Sequence, residues 1–167
     1  MDKTHAIELN KIDSKNDHAI SVRSGFVPKR LQPKVDVANP APETYGEFDE
    51  GTKGNMQVST TMAFVRLLRS LMKSEAVGPR VVPIIPDEAR TFGMEALFRQ
   101  IGIYSSEGQK YQPEDADQVM WYKESKEGVM LEEGITEAGA FSAWLALATS
   151  YTNHALPMIP FYIYYSM

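Results

Sequence analysis

The last third of the chain reads strand, helix, strand, and that order limits the fold more than any other feature: GVMLEEG is an extended apolar stretch, TEAGAFSAWLALATSYT is helical, and PMIPFYIYY is extended again. Two strands joined through a helix run parallel, with a right-handed crossover. A parallel sheet needs cover on both faces, and the rest of the sequence offers it. From Ser59 onward Ala63, Phe64, Leu67, Leu68, Leu71 and Met72 recur at helical spacing, whereas Arg66, Arg69 and Lys73 face away, so a helix is predicted over Thr60–Lys73. Ser59 or Thr60 can cap its first amides, and Gly78 with Pro79 stops it after a short tail. The run RVVPIIP that follows is short and apolar enough for a buried parallel strand, although Pro83 removes one ladder donor. A second amphipathic stretch, MEALFRQIG, ends at Gly102; IGIYSS adds a brief extended piece, and SEGQKYQPED is an exposed loop.

Residues 1–55 differ from all of this. They are polar, mixed in charge and punctuated by Pro28, Pro33, Pro40 and Pro42, which describes an irregular arm or linker rather than a packed layer. The expected architecture is therefore α/β, a parallel sheet with flanking helices over 56–167, preceded by that arm. The chain stops at Met167 directly after an apolar strand, so the domain is expected to be incomplete and truncated at its carboxyl end.

Composition excludes several classes of function. The 167 residues carry a net charge of −5, with 43% hydrophobic and 23% charged residues, typical of a globular chain with no basic stripe for a nucleic-acid backbone. Cysteine is absent, which removes disulfides, thiolate metal sites and cysteine nucleophiles. The amino terminus lacks the apolar run of a signal peptide, and the apolar region 138–167 is broken by Ser150, Thr152, Asn153, His154, Pro157 and Pro160, so neither secretion nor a membrane span is expected and the cytoplasm is the expected compartment. His5, His18 and His154 stand singly, and phosphate-loop, dinucleotide and zinc-protease motifs are missing.

The candidate chemistry lies where strands end. LEEGITEAGA sets Glu132, Glu133 and Glu137 around the carboxyl end of a strand and the start of a helix, the edge at which open parallel sheets bind ligands. With Thr136 as N-cap, Glu137 falls in the first helical turn, where a carboxylate ordinarily does no more than offset the helix dipole; the pattern alone leaves both roles open. The helix behind it has Phe141, Trp144, Leu145 and Ala148 on one face and Gly139, Ala143 and Ala146 on another, which suits a core helix or a tight helix-to-helix interface. Asp87 and Glu88 form a second carboxylate pair at the end of a strand, and surface solvation is the ordinary explanation of such pairs. In the last strand Phe161, Ile163 and Tyr165 share one face, Tyr162 and Tyr164 the other.

Three long blocks, RVVPIIPDEARTFGMEALFRQIGIYSSEGQKY, LEEGITEAGAFSAWLALATSYT and PMIPFYIYYSM, closely resemble the homodimeric type of pyruvate dehydrogenase E1 component. The resemblance is near-continuous from Ser59 to Met167 and looser back to GFVPKR. It implies a thiamine diphosphate-binding fold, with 56–167 as part of the transketolase-like pyrimidine-binding module. It implies decarboxylation of pyruvate and transfer of the acetyl unit to the lipoyl group of the E2 dihydrolipoyl acetyltransferase. It further implies a homodimer in which the cofactor lies between two E1 subunits, its diphosphate and Mg2+ held by a domain absent from these residues. By position, Glu137 matches the glutamate that hydrogen-bonds N1′ of the aminopyrimidine, where a shared proton favours the imino tautomer that takes the proton from C2. A helix amino terminus favours the charged carboxylate, so burial in a dry interface has to offset it. Tyr165 matches a tyrosine of the cofactor pocket, and Asp87 and Glu88 match an acidic pair lining the active site. Two other readings compete: a non-catalytic stand-alone assembly or binding module of the same fold, and a transketolase relative. The apolar strand left uncovered at Met167 argues against the first, the three long blocks against the second.

Overall fold

The computed structural model describes residues 35–164 except 53, 55, 87, 88 and 115–121. Ser59 starts the first α-helix: its hydroxyl oxygen accepts from the amide of Met62 at 3.1 Å, and helix α1 runs Thr60–Lys73 as its periodicity predicts. Val65 and Leu68 form the buried centre of its inner face, flanked by Phe64, Leu71 and Met72. The chain leaves α1 at Ser74 and makes a tight turn over Gly78–Arg80 before entering β1, Val81–Ile85. A side chain at Gly78 would collide with the carbonyl of Met72, so glycine lets the strand start close under the helix.

β1 is the central strand. It pairs in parallel with β4, Leu131–Glu132, through Ile84 and Ile85, and in parallel with β5, Ile159–Tyr162, along Val81–Ile84, giving the order β4-β1-β5. Pairing with β4 begins only at Ile84, after Pro83. In β5 the amide of Ile163 reaches the carbonyl of Ile84 at 3.0 Å, so odd positions of this strand face β1 and Pro160 turns its missing donor outward.

Between β1 and β4 come α2, Glu95–Ile101, and two short strands, β2, Ile103–Tyr104, and β3, Glu124–Ser125. Gly102 ends α2 in the left-handed region, φ 65°, and turns the chain directly into β2. β2 pairs in parallel with β3 on one side and bridges Met130 on the other, which attaches the small sheet to the strand leading into β4.

Alternation along β1 divides the interior in two. Val81 and Ile85 face α1 and α2, in a core with Leu68, Met94, Leu97, Phe98, Ile103 and Met130. Val82 and Ile84 face the opposite layer, helix α3, Glu137–Ala148, whose Ala140, Ala143, Trp144 and Leu147 sit on the sheet. The result is the expected parallel sheet with helices on both faces. By their contacts the described residues fall into two units, one within 37–148 and 158–164 and the other of 149–157 with 35 and 36. In the second, α4, Ser150–His154, follows Thr149 and ends at Ala155 with φ 56°, and Ser150 donates its hydroxyl to the carbonyl of Leu156 at 2.6 Å. Among the described residues no helix is long and apolar enough to cross a membrane.

Candidate functional site at the carboxyl end of the sheet

The carboxyl ends of β1, β4 and β5 open on one edge, and Glu137 stands there as the first residue of α3. Thr136 caps the helix as expected, its Oγ1 accepting from the amide of Gly139 at 3.2 Å and its carbonyl from that of Ala140 at 3.1 Å. The Glu137 residue is exposed, lying at the rim rather than in the core. Its main-chain carbonyl accepts a hydrogen bond from the phenol of Tyr162 at 3.2 Å, which ties the start of α3 to the end of β5. Desolvation, together with the Glu137 carboxylate and Tyr164, holds the Tyr162 phenol above its ordinary pKa, so it remains a donor.

Aromatic rings surround this edge. Tyr162 stacks on Tyr164 with centroids 4.8 Å apart and meets Phe141 edge-on at 6.3 Å; Phe141 in turn stacks on Trp144 at 5.5 Å. On its other side, Tyr162 with Ile163 and Tyr164 forms one wall of an open cleft of about 370 Å³, completed by Thr60, Thr61, Phe64 and Phe92.

The three acids of LEEGITEAGA separate into distinct settings. Glu133 continues the ladder, its amide donating to the Ile85 carbonyl at 2.9 Å. The Glu132 carboxylate accepts from the Tyr122 phenol at 3.2 Å, and the same phenol lies 3.0 Å from the Glu124 carboxylate, which also takes the Tyr111 phenol at 3.1 Å. Of this tyrosine and carboxylate group only Glu132 is among the residues singled out in the sequence. Its members come from positions 111–132, and no local periodicity brings them together.

Neither of the two faces read along α3 is the one that packs on the sheet as a whole: Phe141 and Leu145 are 49% and 47% exposed. The buried stripe is Ala140, Ala143, Trp144 and Leu147, which takes members from both proposed faces, while Ala146 is exposed. The small alanines are the positions that let the helix approach the flat of the sheet. Asp87, Glu88 and Tyr165 lie outside the described residues.

Fold and edge together define a class: an α/β module that presents a carboxylate and flat aromatic surfaces at the carboxyl end of a parallel sheet. Residues 35–167 match the family model of the pyruvate dehydrogenase E1 component middle domain. The chain is 58% identical over 143 residues to the pyruvate dehydrogenase E1 component of Pseudomonas aeruginosa, and 53% identical over 145 residues to that of Escherichia coli K12. It is 55% identical over 143 residues to that of Cupriavidus necator. Each alignment covers 86% of this chain and 16% of the relative, so the chain spans about a sixth of the relatives' length. The chain belongs to the pyruvate dehydrogenase E1 component family.

Proposed function

We propose that this chain supplies the aminopyrimidine-binding half of a thiamine diphosphate site in an E1 enzyme that decarboxylates pyruvate and passes the acetyl unit to the lipoyl group of an E2 acetyltransferase. One observation carries the reading: Glu137 opens α3 at the carboxyl end of the sheet, exposed, with its backbone held by Tyr162. The donor set fits an aminopyrimidine, because an available carboxylate can pair with a ring nitrogen and the stacked pair of Tyr162 and Tyr164 offers a flat apolar surface beside it. When bound, the cofactor supplies an electron sink for the loss of carbon dioxide from a 2-oxo acid.

The role of this chain's own residues is to orient the ring and to manage one proton. Glu137 holds a proton at N1′, which requires a carboxyl shielded from water. The exposed rim of the isolated chain does not provide that shielding, and a second surface does. Glu137, Phe141 and Leu145 follow one another four residues apart along the outer stripe of α3, and that stripe is the surface a second E1 subunit is proposed to cover. Asp87, Glu88 and Tyr165 are assigned to the lining of the same site, with the diphosphate and Mg2+ held by a different domain. The module begins near residue 56 and works in the cytoplasm; by itself it is expected to be inactive.

The test is Glu137→Gln in the complete enzyme. Amide for carboxyl keeps the shape and removes the proton acceptor, so pyruvate decarboxylation is expected to fall by about a hundredfold or more, with the dimer unchanged in sedimentation. Turnover within a fewfold of the parent would remove the role.

A further inference from the structure

The segment before α1 contains two short 3-10 turns, Pro42–Thr44 and Gly46–Phe48, and neither buries a residue. A segment without a core of its own stays in place through side chains that reach out to a neighbour. Two of its consecutive side chains converge on one group of α1: the Arg66 guanidinium pairs with the Glu47 carboxylate and lies over the Phe48 ring at 5.6 Å from its centroid. The segment has the shape of a strap. Tyr45 closes its start by donating to the Pro40 carbonyl at 3.4 Å, and Gly51 and Gly54, both with positive φ, follow it before α1 begins.

We infer that Arg66 is a clasp that fastens the strap of residues 42–50 to α1, and that ionic strength sets how often it opens. The side chains of Arg66 and Glu47 are 43% and 40% exposed, so the charge pair is accessible to screening ions. The contact with Phe48 is made by the same guanidinium and depends less on salt. Loss of Arg66 removes both contacts at once, whereas loss of Glu47 removes only the screened one. The clasp therefore has a salt-dependent half and a salt-tolerant half on one residue.

Hydrogen–deuterium exchange on the full chain tests this. The reporters are the amides of Tyr45, Asp49 and Gly51, which donate to Pro42, Gly46 and Phe48 within the strap. Arg66→Ala is expected to speed their exchange by roughly tenfold at low salt, while α1 amides such as Leu68 keep their protection. Glu47→Gln is expected to speed it less and to abolish the difference between low and high salt; Phe48→Leu is expected to speed it while leaving that difference in place. Arg66 lies on an exposed face, so an unchanged circular dichroism spectrum establishes that each variant is folded. Strap exchange unaltered in Arg66→Ala, or a salt effect that persists in Glu47→Gln, would overturn the clasp.

Discussion

Tyr162 donates its phenol to the main-chain carbonyl of Glu137 across 3.2 Å, so the last strand of the sheet fixes the first turn of the helix that carries the candidate acid. The bond runs to backbone rather than to the carboxylate, which leaves the Glu137 side chain available for another partner. Tyr162→Phe keeps the ring on Tyr164 and removes only this bond. The bond is exposed to solvent, so the urea midpoint is expected to drop only slightly. The sharper readout is local: amide exchange of Gly139 and Ala140, which are held by Thr136, is expected to accelerate before that of the core strand β1. Uniform acceleration over the whole chain would contradict this placement of the bond.

The two faces of α3 predict opposite phenotypes. Ile84 is fully buried under the helix, and Ile84→Ala leaves a cavity with no route to collapse in the central strand, costing about 2–5 kcal/mol. Phe141 is half exposed, and Phe141→Ala is expected to cost well under half of that in the chain alone. In the complete enzyme the order reverses for assembly: Phe141→Ala is expected to raise the dimer dissociation constant measured by sedimentation, because it removes an apolar anchor from the outer stripe. An unchanged dissociation constant would direct the second subunit to another surface.

Two glycines in one region separate close packing from backbone preference. A side chain at Gly128 would collide with the main chain of Ile103 in β2, where neither side can give way. Gly108 has φ +72° but open space around it. Gly108→Ala is expected to cost about 1 kcal/mol, the strain of a left-handed alanine. Gly128→Ala is expected to cost several-fold more, with loss of the β2 pairing to Met130; equal thermal shifts for the two variants would contradict the close approach.

The residues show why part of this fold can be read from sequence and part cannot. α1 is legible because its apolar positions recur every three or four residues between a capping Ser59 and the turn at Gly78, and β1 because five apolar residues stand between charge and proline. Local signals suffice there. α3 was legible as a helix but not in its orientation, since it is apolar nearly all round and only contact with Val82 and Ile84 selects Ala140, Ala143, Trp144 and Leu147 as the inner stripe. The helix predicted through Thr152 is broken at Thr149: α3 stops at Ala148, and Ser150–His154 form the separate α4. β2, β3 and β4 have two residues each and exist through pairing with distant chain, so the predicted strand GVMLEEG shrinks to Leu131 and Glu132. Glu137 could be located from Thr136 and the strand end, whereas the Tyr111, Tyr122, Glu124 and Glu132 group depends on tertiary contact alone.

That last group makes stability depend on alkaline pH in a definite direction. Burial of the Tyr122 ring, which meets Phe98 edge-on at 5.7 Å, combines with the Glu132 and Glu124 carboxylates to push its phenol far above the ordinary 10.0. Tyr111 and Tyr162 shift the same way, Tyr111 through desolvation and Glu124. In the unfolded chain each phenol loses its proton near 10.0, while in the folded chain it keeps the proton to higher pH. Above that pH the folded state therefore binds more protons than the unfolded state, and the stability that is fully present below it falls as pH rises. Urea unfolding is expected to give a flat plateau to about pH 9 and a decline from about pH 10 upward. In Tyr122→Phe the plateau is expected to be lower, because Glu132 and Glu124 lose a shared donor, and the alkaline decline shallower, because the most strongly shifted phenol is gone. A decline of equal slope in the variant and the parent would mean that Tyr122 does not hold its proton between those two carboxylates.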